Sequence, residues 1–322
     1  MRIVVLGGTR FIGRVAVEEL AAAGHKLLLV HRGTTEPEGL PEAQHLHTDR
    51  DHLTAHNKEL AAFEPDAFLD CRALTRTDAE TALAALPPDI RLVVISSMDV
   101  YRAFGAVNEG RETDPVPIDE QSPVRSNRYP YRSLVPDRHD YDKLDVEDVY
   151  LPRGATSLRL PMVYGENDYQ RREEFILRRV RAKRVRIPFG AGTWLACRGY
   201  VRDLARGIRL TLESDAAVGE PMNLCEEKTY SMRLWAEMIL AAAGAKAELV
   251  RVADAVLPTD LEETASIAQH ILASPAKARA LLGWSPSTAT ATLAASVRWH
   301  LANPPDSTDL DFSADDRALA AV

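Results

Sequence analysis

The sequence predicts an α/β chain built on a doubly wound parallel sheet, followed by a smaller, partly interleaved C-terminal lobe. Two observations carry this. Short β-branched, apolar runs alternate with stretches of helical period through the first half of the chain, and a glycine-rich turn separates the first run from the first helix. With 322 residues, 46% of them hydrophobic and 27% charged, the chain has ordinary globular proportions and can bury a sizeable core.

The elements follow in order. RIVVL at 2–6 is a strand of the kind buried on both faces. Apolar positions recur at helical spacing over 11–23, Gly24 stops that helix, and 26–30 forms the second strand. The alternation continues with a helix at 52–63, a strand at 67–71, a helix at 77–86 and a strand at 90–97. Residues 101–136, rich in proline and charge, read as a long irregular excursion. A helix over 137–150 and a strand over 156–163 come next. Beyond them the pattern loosens into a basic helix at 171–183, a strand at 184–188, and helices at 201–213 and 231–243. SPAKARALLGW opens with Ser274 as a cap before Pro275, a last helix covers 289–302, and the remaining residues read as a loose tail.

Several classes are excluded on composition. No apolar run reaches the roughly 18 residues that a membrane-spanning helix needs. The first strand begins beside Met1, which leaves no room for a signal peptide, so a cytoplasmic location is expected. Cys71, Cys197 and Cys225 are widely spaced without a CxxC pair, so neither a disulfide framework nor a metal site is expected. A net charge of -8 argues against nucleic acid as a partner of the whole surface.

The turn GGTRFIG, residues 7–13, sits after the first strand and opens a helix within a β-α-β unit of about thirty residues. Such a turn lets backbone approach a pyrophosphate while the helix N-terminus offers unpaired amides. This is the arrangement of a Rossmann-type sheet, with Gly7, Gly8, Thr9, Arg10, Phe11, Ile12 and Gly13 as cofactor contacts. The turn resembles that of the extended short-chain dehydrogenase/reductase family, also called the NAD-dependent epimerase/dehydratase family, with Arg10 standing where its GxxGxxG fingerprint has the middle glycine. SSMDVY at 96–101, LRLPMVYG at 158–165, YVRDLA at 200–205 and LGW at 282–284 resemble further stretches of that family. The resemblance implies a dinucleotide-binding domain over 1–163, to which 199–226 returns, and a substrate lobe over 164–198 and 227–303, with 304–322 as the tail. It also implies Cys71, Pro161 and Val163 as neighbours of the cofactor, and a homodimer by analogy.

No acidic residue ends the second strand to accept from the adenosine ribose hydroxyls; Val30, His31 and Arg32 stand there. Arg32 with Arg10 suits a 2′-phosphate, so NADP is favoured over NAD. Asp49 matches the family's adenine-contacting aspartate, and it equally suits the cap of the next helix.

The family's chemistry needs a phenol to carry a proton, a lysine four residues on, and a hydroxyl that orients the reacting oxygen. Ser97 fits the hydroxyl and Lys143 the lysine, with Glu147 one turn later. Four residues before Lys143 stands His139, where the family has tyrosine. Tyr141 is two residues from Lys143, about 200° around a helix that already runs through it. His139 is therefore expected to carry the proton, with Tyr141, or Tyr129 or Tyr131 from the long loop, as alternatives.

The resemblance implies an NAD(P)-dependent oxidoreductase or epimerase/dehydratase acting on a small carbonyl, alcohol or nucleotide sugar. A cofactor-binding regulatory or scaffold protein with little turnover is the alternative. Arg171, Arg178 and Arg198 are the candidate substrate contacts, from a basic stretch that also suits a solvated helix face. The GGTRFIG variant further resembles that of certain RNA-associated plastid relatives, against which the acidic charge and the lack of clustered aromatics count.

Overall fold

In the computed structural model, which describes residues 1–133, 135, 138–307 and 309–322, eleven strands form three parallel sheets. In chain order they are β1 (Arg2–Leu6), β2 (Lys26–His31), β3 (Gln44–His47), β4 (Ala67–Asp70), β5 (Arg91–Ser97), β6 (Thr156–Leu160), β7 (Met162–Tyr164), β8 (Arg186–Phe189), β9 (Arg198–Tyr200), β10 (Pro221–Asn223) and β11 (Glu248–Arg251). The main sheet has seven strands in the order β10-β6-β5-β4-β1-β2-β3. Its strand order reverses at β1 and β4, and the crevice beyond their carboxyl ends is where open α/β sheets bind ligands.

The helices among the described residues are α1 (Phe11–Ala22), α2 (Asn57–Ala62), α3 (Arg76–Ala84), α4 (Arg102–Glu109), α5 (Lys143–Tyr150), α6 (Glu174–Arg181), α7 (Val201–Glu213), α8 (Met232–Ala242), α9 (Ala276–Leu282), α10 (Ala289–Ala302) and α11 (Ser313–Ala320). Alternation along the strands sends side chains to two cores. Ile3, Val5 and Leu29 meet α1 and α7 on one face, and Val4, Leu28 and Val30 meet α2, α3 and α5 on the other. The first core runs on through Tyr164, Trp235 and Trp284 into the smaller lobe. No described helix is long and apolar enough to cross a membrane.

Five expectations need correction. The helix over 137–150 starts at Lys143, because Asp142 is extended and its carboxylate accepts from the Leu144 amide at 2.9 Å, which caps the first turn there. Asp137 lies outside the described residues. The strand over 156–163 breaks at Pro161, which has no amide to donate, so β7 leaves the main sheet and pairs with β9. The helix over 52–63 is a 3-10 turn, Arg50–His56, followed by the short α2, with the Arg50 guanidinium drawn inward onto Asp70 at 2.7 and 2.8 Å. The tail is not loose throughout: α11 docks against β8, and Asp315 pairs with the buried Arg179 at 2.7 Å. The excursion over 101–136 also opens with a helix, α4, before its irregular part.

Candidate functional site

β1 delivers the chain into the glycine turn with Gly7 at φ +89°, a left-handed conformation that favours glycine. A Cβ on Gly13 would lie 2.3 Å from the Gly7 carbonyl oxygen, and one on Gly8 would lie 2.7 Å from Val17, so α1 can close on the turn only with glycine at both. The N-cap residue of α1, Arg10, makes no side-chain capping bond, so the first-turn amides keep their donors. Thr9 and Phe11 are buried beside them, and Ile12 is half-buried. Across the crevice Cys71 follows β4, its amide donating to Leu6 at 3.0 Å. The residue is half-buried, and burial, the first cause, pushes its thiol pKa well up, which suits a wall residue and not a nucleophile.

Arg32 follows β2 on the surface, and neither it nor Arg10 forms an ion pair among the described residues. Asp49 occupies the N-cap position of the 3-10 turn, but its carboxylate makes no capping bond. Pro161 links β6 to β7, half-buried, while the Val163 side chain is buried in the main core.

The catalytic candidates gather at the end of β5. Ser97 ends this strand, and its hydroxyl oxygen accepts from the Asp99 amide at 3.2 Å. Lys143, the first residue of α5, is buried, and its ammonium donates to the carbonyls of Ala73 at 2.6 Å and Ile95 at 2.8 Å. Burial pulls its pKa down to about 8, against the attraction of Asp70 and Asp99. Glu147 does not pair with Lys143; it accepts from Ser96, Ser157 and Arg159.

The late start of α5 settles where the tyrosine lies. Tyr141 precedes the helix, so the 200° objection does not apply, and its hydroxyl donates to Asp99 Oδ2 at 2.8 Å. Tyr131 donates to the same oxygen at 3.3 Å, and the two rings meet at 5.3 Å. Burial first, then the Asp99 carboxylate, raises the pKa of both phenols. His139 is not brought to this group: its side chain is 66% exposed and pairs with Asp140 at 2.8 Å on the surface. Tyr129 is turned away as well, with the Arg132 guanidinium 4.0 Å over its ring.

Sequence reasoning misses Asp99 and Arg125. Asp99 is buried, burial raises its pKa, and its Oδ1 has no partner among the described residues. Arg125 donates from Nε to the Asp99 carbonyl at 2.9 Å and pairs with the helix-capping Asp142, tying the excursion to the start of α5. An aspartate in the otherwise apolar stretch MDVY was the one signal available for Asp99; nothing in the sequence marks Arg125.

The candidate substrate arginines lie in the smaller lobe. Arg171 and Arg178 line a cleft of about 420 Å³ with Arg172, Asp260 and Glu263. Arg198 lies deeper, against a narrow extension shared with Arg172, Met162 and Glu263. It is buried, with its guanidinium 4.4 Å over Trp235, and burial lowers its pKa. Arg178 is held by Asp260 at 2.9 Å and Arg171 lies 3.6 Å from Glu174, while the Nε atoms of Arg171, Arg172 and Arg178 are buried without a hydrogen-bond partner among the described residues. Met98 and Leu144, neighbours of Ser97 and Lys143, pack in one apolar cluster with Met162, Phe175 and Met232 of the cleft wall.

The chain is 27% identical over 303 residues to the chloroplast stem-loop binding protein of 41 kDa b of Arabidopsis thaliana, covering 88% of this chain and 75% of that protein. Its fold is similar to dTDP-glucose 4,6-dehydratase of Bacillus anthracis in complex with NAD, with TM-score 0.71 and 17% identity over 94% of this chain and 97% of that one. It is similar again to UDP-glucose 4-epimerase of Thermotoga maritima with UDP-glucose, with TM-score 0.69 and 18% identity over 95% and 100% of the two chains. The model of the NAD dependent epimerase/dehydratase family matches residues 3–225. With a match over most of its length, the chain belongs to the NAD dependent epimerase/dehydratase family.

Proposed function

We propose that the chain is an NADP-dependent oxidoreductase of the epimerase/dehydratase type, acting on a nucleotide sugar, with Tyr141 as its proton carrier. The observation that carries this reading is that the hydroxyl of Tyr141, two residues before Lys143, is held 2.8 Å from the buried Asp99, two residues after Ser97. The glycine cradle that admits no Cβ and the uncapped N-terminus of α1 fit a dinucleotide pyrophosphate. When bound, NADP supplies a hydride acceptor, and NADPH a donor.

The protein's part is proton movement and orientation. Ser97 donates a hydrogen bond to the reacting oxygen, and Tyr141 gives that oxygen a proton as a carbonyl becomes an alcohol. The Asp99 carboxylate, which accepts from the Tyr141 hydroxyl at 2.8 Å, orients that phenol. Run backwards, the same step removes the proton from an alcohol. Two of the three Lys143 protons go to carbonyls and the third is left for a ribose hydroxyl. Arg32, with Arg10, meets the 2′-phosphate, and the cleft-lining Arg171, Arg172 and Arg178 suit a substrate diphosphate.

The Arabidopsis relative, by its name, binds a stem-loop. For this chain the net charge of -8 and the pairing of the cleft residue Arg178 with Asp260 count against a nucleic-acid partner. Steady-state kinetics with NADPH or NADP across nucleotide sugars and small carbonyls test the proposal. Tyr141→Phe should lower kcat at least about a hundredfold with cofactor affinity kept, and His139→Ala should change neither. Full turnover in Tyr141→Phe removes Tyr141 from the mechanism. A wild type that binds NADPH but turns over no substrate points to the scaffold alternative.

A further inference from the structure

The free corner of the main sheet carries a cluster that the dinucleotide and substrate sites do not use. In QHLH, the two-residue spacing puts His45 and His47 on one face of β3. The parallel register sets His31, the last residue of β2, opposite His47, and the connection between the strands brings back Glu36. One atom from each of these four side chains lies within 4.8 Å of all the others. His31 Nε2 is 2.8 Å from His45 Nδ1 and 3.7 Å from Glu36 Oε1. Glu36 Oε1 is 3.8 Å from His45 Nδ1 and 2.5 Å from His47 Nε2.

We propose that His31, Glu36, His45 and His47 form a binding site for one zinc ion. A tetrahedral ion with bonds of about 2.0–2.1 Å separates its ligand atoms by about 3.3 Å, and the four separations above straddle that value. The three rings meet edge to face, with interplanar angles of 82°, 69° and 71°, so they converge on a point and do not stack. Three imidazoles with one carboxylate suit a borderline divalent cation and not the all-oxygen shells of magnesium or calcium. Four protein ligands close the coordination sphere, as in structural zinc sites.

The site can be loaded from solvent, since the side chains of His47 and Glu36 are 53% and 42% exposed. Coordination through Nε2 moves the His31 proton to Nδ1 and ends the 3.2 Å contact that Nδ1 now accepts from the Gly33 amide. Gly33 lies in an exposed turn, where that amide can face water. The four ligands are five, nine and two residues apart, a spacing that matches no short zinc motif, and the expectation of no metal rests on the cysteines alone. The ion ties the connection 32–43 to the sheet edge.

Tag-free, chelator-stripped full-length chain titrated with zinc chloride against a chromogenic chelator should bind one equivalent at micromolar affinity or tighter. His45→Ala and His47→Ala should each weaken binding at least about tenfold, and the double variant should bind none. Both residues are on an edge strand, and circular dichroism of the variants verifies their fold. Zinc X-ray absorption of the loaded wild type should show light-atom ligands near 2.0 Å with imidazole multiple scattering. Absence of stoichiometric binding overturns the proposal. So does an affinity unchanged in the double variant, or a spectrum with sulfur or without imidazole.

Discussion

The main sheet and the smaller lobe are held together by different forces. In the sheet, β1, β2 and β4 bury almost unbroken apolar runs, and the polar groups gather at strand ends, where ligands approach. In the lobe, α6 places Arg179 fully out of solvent between Asp260 at 2.7 Å and Asp315 at 2.7 Å, and the neighbouring Arg178 and Arg184 meet Asp260 and Asp316. Apolar burial stabilises the sheet without regard to direction. Buried ion pairs add little net stability, because desolvation offsets the attraction, but they punish every arrangement that leaves one charge alone. The β1–β2–β4 part of the sheet is fixed by its apolar pattern, and the surroundings of α6 by their pairings.

The largest test of this contrast is Arg179→Ala. It strands Asp315 and weakens the hold on Asp260, and should cost about 3–5 kcal/mol in urea denaturation, with early proteolysis around α11. A cost below about 1 kcal/mol would mean that the lobe rests on apolar contacts as the sheet does. Next in size is Arg32→Ala at the edge of the sheet. Wild type should bind NADPH at least about tenfold more tightly than NADH, roughly 1.4 kcal/mol, and the variant should lose most of this preference. Equal affinities in the wild type would take Arg32 and Arg10 out of 2′-phosphate recognition.

The smallest effect concerns Glu173, which lies wholly buried with Oε2 3.3 Å from His300. Burial raises its pKa to about 7 from 4.5. The folded state therefore binds more protons than the unfolded one between these values, and stability falls as pH rises through that window. Burial holds His300 down to about 4, so it stays neutral there when folded. Glu173→Gln removes the ionisation, and its stability relative to wild type should improve from pH 5 to pH 8 by on the order of 1 kcal/mol. A difference that does not change with pH would show that the carboxyl does not titrate in that range.

Elements set by periodicity are the ones the sequence shows well. The helices over 201–213 and 289–302 have the bounds their apolar spacing predicts, and β1 and β2 lie within a residue of theirs. Elements set by distant charges are not visible in this way. The start of α5 depends on Asp142, held by Arg125 from a loop 17 residues earlier, and α11 depends on an arginine 136 residues before its partner. The candidate site divides along the same line. GGTRFIG, Ser97 and Lys143 stand in local motifs, whereas the contact of Tyr141 with Asp99 depends on where a helix begins.

Among the contacts that join the two regions is one made by the glycine turn. The Arg10 guanidinium of the glycine turn lies 4.9 Å over the ring of Tyr169, a residue 58% exposed that also meets Phe11 edge-on. A cation–π contact at such a site is worth about 0.5–1 kcal/mol. If a phosphate draws Arg10 off the ring, that loss is charged to the first ligand, and linkage makes the effect equal in both directions. This stack can therefore transmit at most about a two- to fivefold change in affinity between the dinucleotide turn and the lobe facing it.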